Sequence, residues 1–261
     1  MTLSNKKPFI AGNWKMFKTI PEALELVKEI LLAVEESSSS EIVVIPPYTA
    51  LSRIQDLIRN SAIQLGAQNI FWEEEGAFTG EIAPAMLKDA GCDYVVIGHS
   101  ERRQYFGETN ATVNKKIQSA LKHKILPIMC IGESLEERES GKMIEKVGKQ
   151  INEGLEGIDS AEAEKIIIAY EPLWAIGTGL TASPEQAQEI HSYIRSKLTE
   201  KYGNKTGSCA IILYGGSVKP ANAFSLLKEK DINGALIGGA ALKSESFIEI
   251  AKEAIKAYEE K

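Results

Sequence analysis

No stretch of this chain approaches the about 20 consecutive apolar residues that span a bilayer, so a membrane helix is excluded. The N-terminus, MTLSNKKPFIAGNWK, has no apolar segment of signal-peptide length after Lys6 and Lys7, and a cytoplasmic location is predicted. Cysteine is scarce. Cys92, Cys130 and Cys209 are odd in number and far apart, which excludes a disulfide framework and the close pairs of a zinc site. Each lies in or beside an apolar run, so three buried, reduced thiols are predicted. Positive charge is not in surplus: 30 Lys and Arg against 36 Asp and Glu give a net charge of -6. That argues against a general nucleic-acid binder but leaves a local basic pocket open. Histidine occurs three times, with no HExxH and no His/Cys cluster, so no metal is expected. No GxGxxG follows the first strand-like run. GESLEERESGKM fails as a nucleotide loop in spacing, with Met143 where Ser or Thr belongs. No Pro, Gly or Ser-rich linker divides the chain, so residues 1–261 are read as one domain.

What is present is alternation. Eight short apolar runs recur: Phe9–Ala11, Ile42–Ile45, Ile63–Ala67, Tyr94–Ile97, Ile125–Ile131, Ile166–Tyr170, Ala210–Tyr214 and Ala235–Ile237. Most are rich in β-branched residues and bounded by Gly, Pro, Asn or Ser, as buried parallel strands are. Amphipathic segments lie between them. Leu24, Val27, Leu31 and Val34 form one stripe, and Val113, Ile117 and Leu121 another. Thr19 with Glu22, and Ser183 with Pro184 and Gln186, read as helix starts. Ser244 is predicted to cap a last helix facing inward through Phe247, Ile248, Ala251 and Ile255. Residues 133–156 read as helical, with a solvated Glu-rich face. Strand–helix alternation implies parallel βαβ units, and eight of them match the about 250 residues of a (β/α)8 barrel. A doubly wound open sheet is the alternative on pattern alone.

In a barrel, chemistry belongs at the C-terminal strand ends. Glu171 ends the sixth run. It is either a capping or salt-bridging carboxylate, or a general base whose pKa burial pushes up. The apolar Trp174 and Ile176 in the following loop suit a cover. His99 ends the fourth run. It is either a satisfied structural histidine or a neutral donor to a substrate carbonyl. Lys15 is either a solvent lysine or the cation that meets a phosphate. Glycine pairs after runs seven and eight, Gly215–Gly216 and Gly238–Gly239, let backbone N–H groups approach phosphate oxygens.

The stretches FIAGNWKM, GAQN, GAFTGEI, VIGHSERR, CIGE, AYEPLWAIGTG, YGGSV and IGGAAL, in this order and spacing, closely resemble the triosephosphate isomerase family across essentially the whole chain. The resemblance implies a (β/α)8 barrel that interconverts dihydroxyacetone phosphate and D-glyceraldehyde 3-phosphate through an enediolate, with no cofactor. It implies Glu171 as base, His99 as neutral electrophile, Asn13 and Lys15 as substrate-binding groups, and Glu101 as an ordering and proton-relay residue. Ser100 is expected to hold the resting base. Pro172–Thr178 is expected to be a lid, and Gly177, Ser217, Gly238 and Gly239 to bind phosphate. A homodimer is implied, each GAFTG loop entering its neighbour near Thr79. Leu180 stands where many relatives carry Lys. The rival functions are another phosphate-binding barrel enzyme, for which a Schiff-base lysine is missing from the strand runs, and a non-catalytic phosphosugar-binding module.

Overall fold

A computed structural model describes residues 7–34, 39–176 and 181–261. Gly177, Thr178 and Leu180 lie outside the described residues; so does the side chain of Val34. Eight strands form: β1 (Phe9–Asn13), β2 (Glu41–Ile45), β3 (Gln64–Ala67), β4 (Tyr94–Ile97), β5 (Leu126–Ile131), β6 (Ile167–Tyr170), β7 (Ile212–Tyr214) and β8 (Gly234–Ile237). Each pairs in parallel with the next, and β1 pairs with β8 in the register Phe9 to Gly234, so the sheet closes into a barrel. The doubly wound alternative is thereby excluded. Each strand lies within two residues of its predicted run.

Among the described residues there are twelve α-helices, in chain order: α1 (Ile20–Val34), α2 (Leu51–Ile58), α3 (Pro84–Asp89), α4 (Ser100–Tyr105), α5 (Asn110–Lys122), α6 (Leu135–Glu139), α7 (Met143–Gly154), α8 (Ser160–Ala163), α9 (Pro184–Tyr202), α10 (Asn204–Cys209), α11 (Pro220–Leu227) and α12 (Ser244–Glu259). Their starts follow side-chain chemistry. Ser183 and Gln186 satisfy each other's amides ahead of Pro184, opening α9 as predicted. The Glu22 carboxylate reaches back to the Thr19 amide at 2.7 Å. Ser244 is not a cap: it is the first residue of α12, and its hydroxyl donates to Glu29 on α1 at 2.6 Å. The 133–156 segment is two helices broken at Ser140; the Glu-rich α6 is solvated as expected, with Glu136 and Glu139 exposed, while Glu133 before it and Val147 and Ile151 on α7 are buried. Cys209 corrects a further expectation. It ends the short α10 at the surface, while Cys92 and Cys130 are buried. None of the described helices is long and apolar enough to cross a membrane.

Two apolar layers form. One lies between strands and helices and includes Ile10, Val95, Ile168 and Ile212 with Val27, Ile117, Ile190 and Phe247. The other fills the barrel: Phe9 and Ala11 from β1, Tyr94 and Val96 from β4, Ile167 and Ala169 from β6, Ile211 and Leu213 at β7, and Leu236 from β8. Alternate residues of a strand face the same side. Continuing each inward series past the strand end gives Asn13 and Lys15 after Phe9 and Ala11. It gives Glu171 after Ile167 and Ala169, Gly215 after Leu213, and Gly238 after Leu236. The period that builds the core also delivers the polar residues to the axis at one rim.

Candidate active site

Asn13, Lys15, His99, Glu171, Ile176, Ser217, Gly238 and Gly239 line one cavity of about 470 Å³ at that rim. Glu171 is 2% exposed. Its Oε1 lies 3.0 Å from His99 Nε2, and the Ser100 amide donates to Oε2 at 2.9 Å. His99 does not follow the inward series of β4. Gly98 breaks it with a left-handed φ of 74°, which turns the chain so that the ring enters the cavity. A side chain at Gly98 would also meet Val113 and Arg103.

The His99 tautomer follows from its neighbours. The Glu101 amide donates to Nδ1 at 3.2 Å, so Nδ1 carries a lone pair and the proton sits on Nε2, facing Glu171. Burial disfavours the charged ring, while the Glu171 carboxylate favours it; with Glu171 this close, the ring is displaced upward from the ordinary histidine value. Glu171 itself departs from the expected upward shift. Burial does push the carboxyl up. His99, the Ser100 amide and Lys15 together outweigh it, and in this arrangement the group lies below the ordinary carboxylate value.

Lys15 is held in an unfavourable backbone state. Its φ is 53°, stabilised by the hydrogen bond its backbone N–H donates to Asn13 Oδ1 at 3.0 Å and by Gln68, whose Nε2 donates to the Lys15 carbonyl at 2.8 Å. Its ammonium pairs with Glu101 Oε1 at 2.6 Å. Glu101 thus meets both Lys15 and the His99 side of the site. Two glycines beside Glu171 leave no room for a side chain: a Cβ on Gly215 would stand 2.9 Å from Glu171 Cγ, and one on Gly132 would stand 1.8 Å from the Glu171 carbonyl oxygen. The rim brings together all the predicted site residues except Gly177, which lies outside the described residues, and Thr79, which lies exposed on the loop after β3 and lines none of this cavity.

Glu133 was missed by the sequence reading. It follows β5 one position out of phase with the inward residues Ile128 and Cys130, so it points between strands and helices. It is fully buried, and Oε1 accepts from the Tyr170 hydroxyl at 2.9 Å and from Trp174 Nε1 at 3.0 Å. The Leu173 amide donates to its carbonyl at 3.0 Å. Burial pushes its carboxyl above the ordinary range although both side chains donate to it. One carboxylate therefore anchors the turn Leu173–Ala175 that follows Glu171. The signal available in the sequence was the charged residue closing CIGE directly after an apolar strand.

A closed parallel barrel with its polar side chains converging at the C-terminal rim defines this chain as a (β/α)8-barrel enzyme. The family model for triosephosphate isomerase matches residues 8–254. The triosephosphate isomerase of Citrifermentans bemidjiense is 52% identical over 95% of this chain and 98% of its own. That of Caldanaerobacter subterraneus subsp. tengcongensis is 52% identical over 94% and 98%. The crystal structure of triosephosphate isomerase from Bartonella henselae superposes with a TM-score of 0.86 at 41% identity, covering 95% of this chain and 98% of that one. The chain belongs to the triosephosphate isomerase family. It is an isomerase of the intramolecular oxidoreductase type, interconverting dihydroxyacetone phosphate and D-glyceraldehyde 3-phosphate.

Proposed function

We propose that Glu171 is the base that carries the proton between the two carbons of the substrate. The observation that carries this reading is a carboxylate 2% exposed, facing the cavity, and held by removable bonds to His99 Nε2 and the Ser100 amide. Those bonds are what weaken it as a base at rest. On moving to the substrate it leaves them behind while burial remains, so its basicity rises where the C–H bond breaks. Glu171 takes a proton from the hydroxymethyl carbon of dihydroxyacetone phosphate, leaving an enediolate, and returns it to the neighbouring carbon, while the hydroxyl proton passes from the first oxygen to the former carbonyl oxygen by way of His99 Nε2.

His99 and Lys15 have separate tasks. His99 Nε2–H is the directed donor to the enediolate oxygens, and the departure of Glu171 removes the charge that favours imidazolium. Lys15 supplies a full positive charge to substrate, with Asn13 fixing its backbone and Glu101 its ammonium. Glu101 also serves as an ordering and relay group beside His99. Ser217, Gly238 and Gly239, together with Gly177, hold the phosphate through backbone N–H groups, and Pro172–Thr178 closes over the intermediate. No cofactor enters the reaction. The enzyme works in the cytoplasm as a homodimer, with residues 1–261 as one catalytic unit and the loop around Thr79 reaching the partner.

Glu171→Gln keeps the shape and removes the basicity. A coupled isomerase assay on the pure variant is expected to read a loss in kcat of about a thousandfold or more, with binding of substrate-like phosphates retained. Near-normal kcat would exclude Glu171 as the base.

A further inference from the structure

The fixed charges nearest the reacting groups do not match a phosphate dianion. With His99 neutral, Lys15, Glu101 and Glu171 leave the inner site one negative charge, in a chain whose net charge is -6. Two further lysines line the same cavity on its glycine-loop side. Lys219 follows Ser217 by two residues and opens α11; Lys243 follows the turn Gly239–Leu242 and opens α12. Both side chains are exposed, and neither forms an ion pair among the described residues. Lys243 also borders a cleft that carries Glu22, Glu25 and Glu29 of α1 and Glu245 of α12. It therefore stands between those four carboxylates and the cavity.

We propose that Lys219 and Lys243 form a cationic gate that draws the doubly charged phosphate into the cavity and sets the preference for phosphorylated over uncharged sugars. This rests on the reading that the glycine segments after β7 and β8 hold the phosphate. Exposed cations at the mouth of a cleft raise the local concentration of an anion and its rate of capture, and salt screens them. They act before the chemical step, so capture responds to them and turnover of bound substrate does not.

The test is the Lys219→Gln/Lys243→Gln double variant, assayed with D-glyceraldehyde 3-phosphate and with phosphate-free D-glyceraldehyde at low and at high salt. For the phosphorylated substrate, kcat/KM is expected to fall about tenfold at low salt, and the gap to narrow as salt rises. The kcat should move less than about twofold, and kcat/KM for D-glyceraldehyde should not change. The Lys219→Arg/Lys243→Arg variant should restore capture. An equal fall on both substrates, or no fall on the phosphorylated one, would overturn the gate. Inorganic phosphate separates the two readings. If it fails to compete with substrate in the unaltered enzyme, the phosphate site itself is wrong and the gate falls with it. If it competes there and competes equally well in the double Gln variant, the gate alone is wrong.

Discussion

His191 is fully buried on α9, its Nδ1–H donating to the Ala187 carbonyl at 2.7 Å and its ring edge-on to Tyr170. Burial holds its pKa down at about 4, against the weaker upward pull of the Ala187 and Leu213 carbonyls. The folded ring thus stays neutral where the unfolded one takes a proton. Stability from this group is complete above the unfolded value near 6.5 and is lost as pH falls from there towards 4. Between about pH 7 and about pH 5 the loss is about 2 kcal/mol. Thermal unfolding should show His191→Phe losing less stability over that interval than the unaltered protein; equal losses would contradict the assignment. Other single residues were legible to different degrees. Asn13 and Glu171 follow from strand parity, because each continues an inward series, whereas Lys15 also needs its own left-handed φ of 53°. His99 needed the left-handed turn at Gly98, which the sequence permits without specifying. The net downward displacement of Glu171 was not readable, because it depends on partners 71 and 72 positions away in Ser100 and His99. Cys209 was misread because an apolar neighbour in sequence is not a buried neighbour in space; α10 ends at the surface just before β7 begins.

At the scale of elements, strands were readable because burial on both faces leaves continuous apolar runs. Polar helices were harder. In α7 a narrow stripe containing Val147 and Ile151 sits among charged residues, and the stop at Ser140 comes from its place at the end of α6. The segment after β6 is where element structure and chemistry meet. Pro172 stiffens its start, and Trp174 is tied to the buried Glu133. An enediolate left in water expels its β-phosphate and gives methylglyoxal. A cover that excludes water and holds the phosphate in the enediolate plane suppresses that loss. Removing four residues within 173–177 and rejoining the chain should therefore lower isomerisation and raise the methylglyoxal fraction. Side-by-side product analysis decides it: if both reactions fall in proportion, the segment has no protective role.

At the scale of the whole molecule, apolar side chains remain uncovered near the rim. Phe78 is 43% exposed at the tip of the loop after β3, between the exposed Ala77 and Thr79, and Met16 and Phe17, directly after Lys15, are 93% and 55% exposed. A second copy seated on this surface would bury the tip and brace Lys15 from outside. Thr79→Arg should weaken association and activity together in analytical ultracentrifugation and in assays across protein concentration. A fully active monomer at assay concentration would contradict the dimer. Chain-wide organisation was legible because eight strand–helix units and a rim motif on nearly every strand point to one closed topology. The central claim, that a carboxylate moves a proton through an enediolate, is tested most directly by running the reaction from dihydroxyacetone phosphate in D2O. A proton parked on Glu171 exchanges with solvent, so the D-glyceraldehyde 3-phosphate formed should carry deuterium at the carbon that received it. Product wholly free of deuterium at that carbon would show transfer with no exchange, as in a direct hydride shift between the carbons, and would contradict the account.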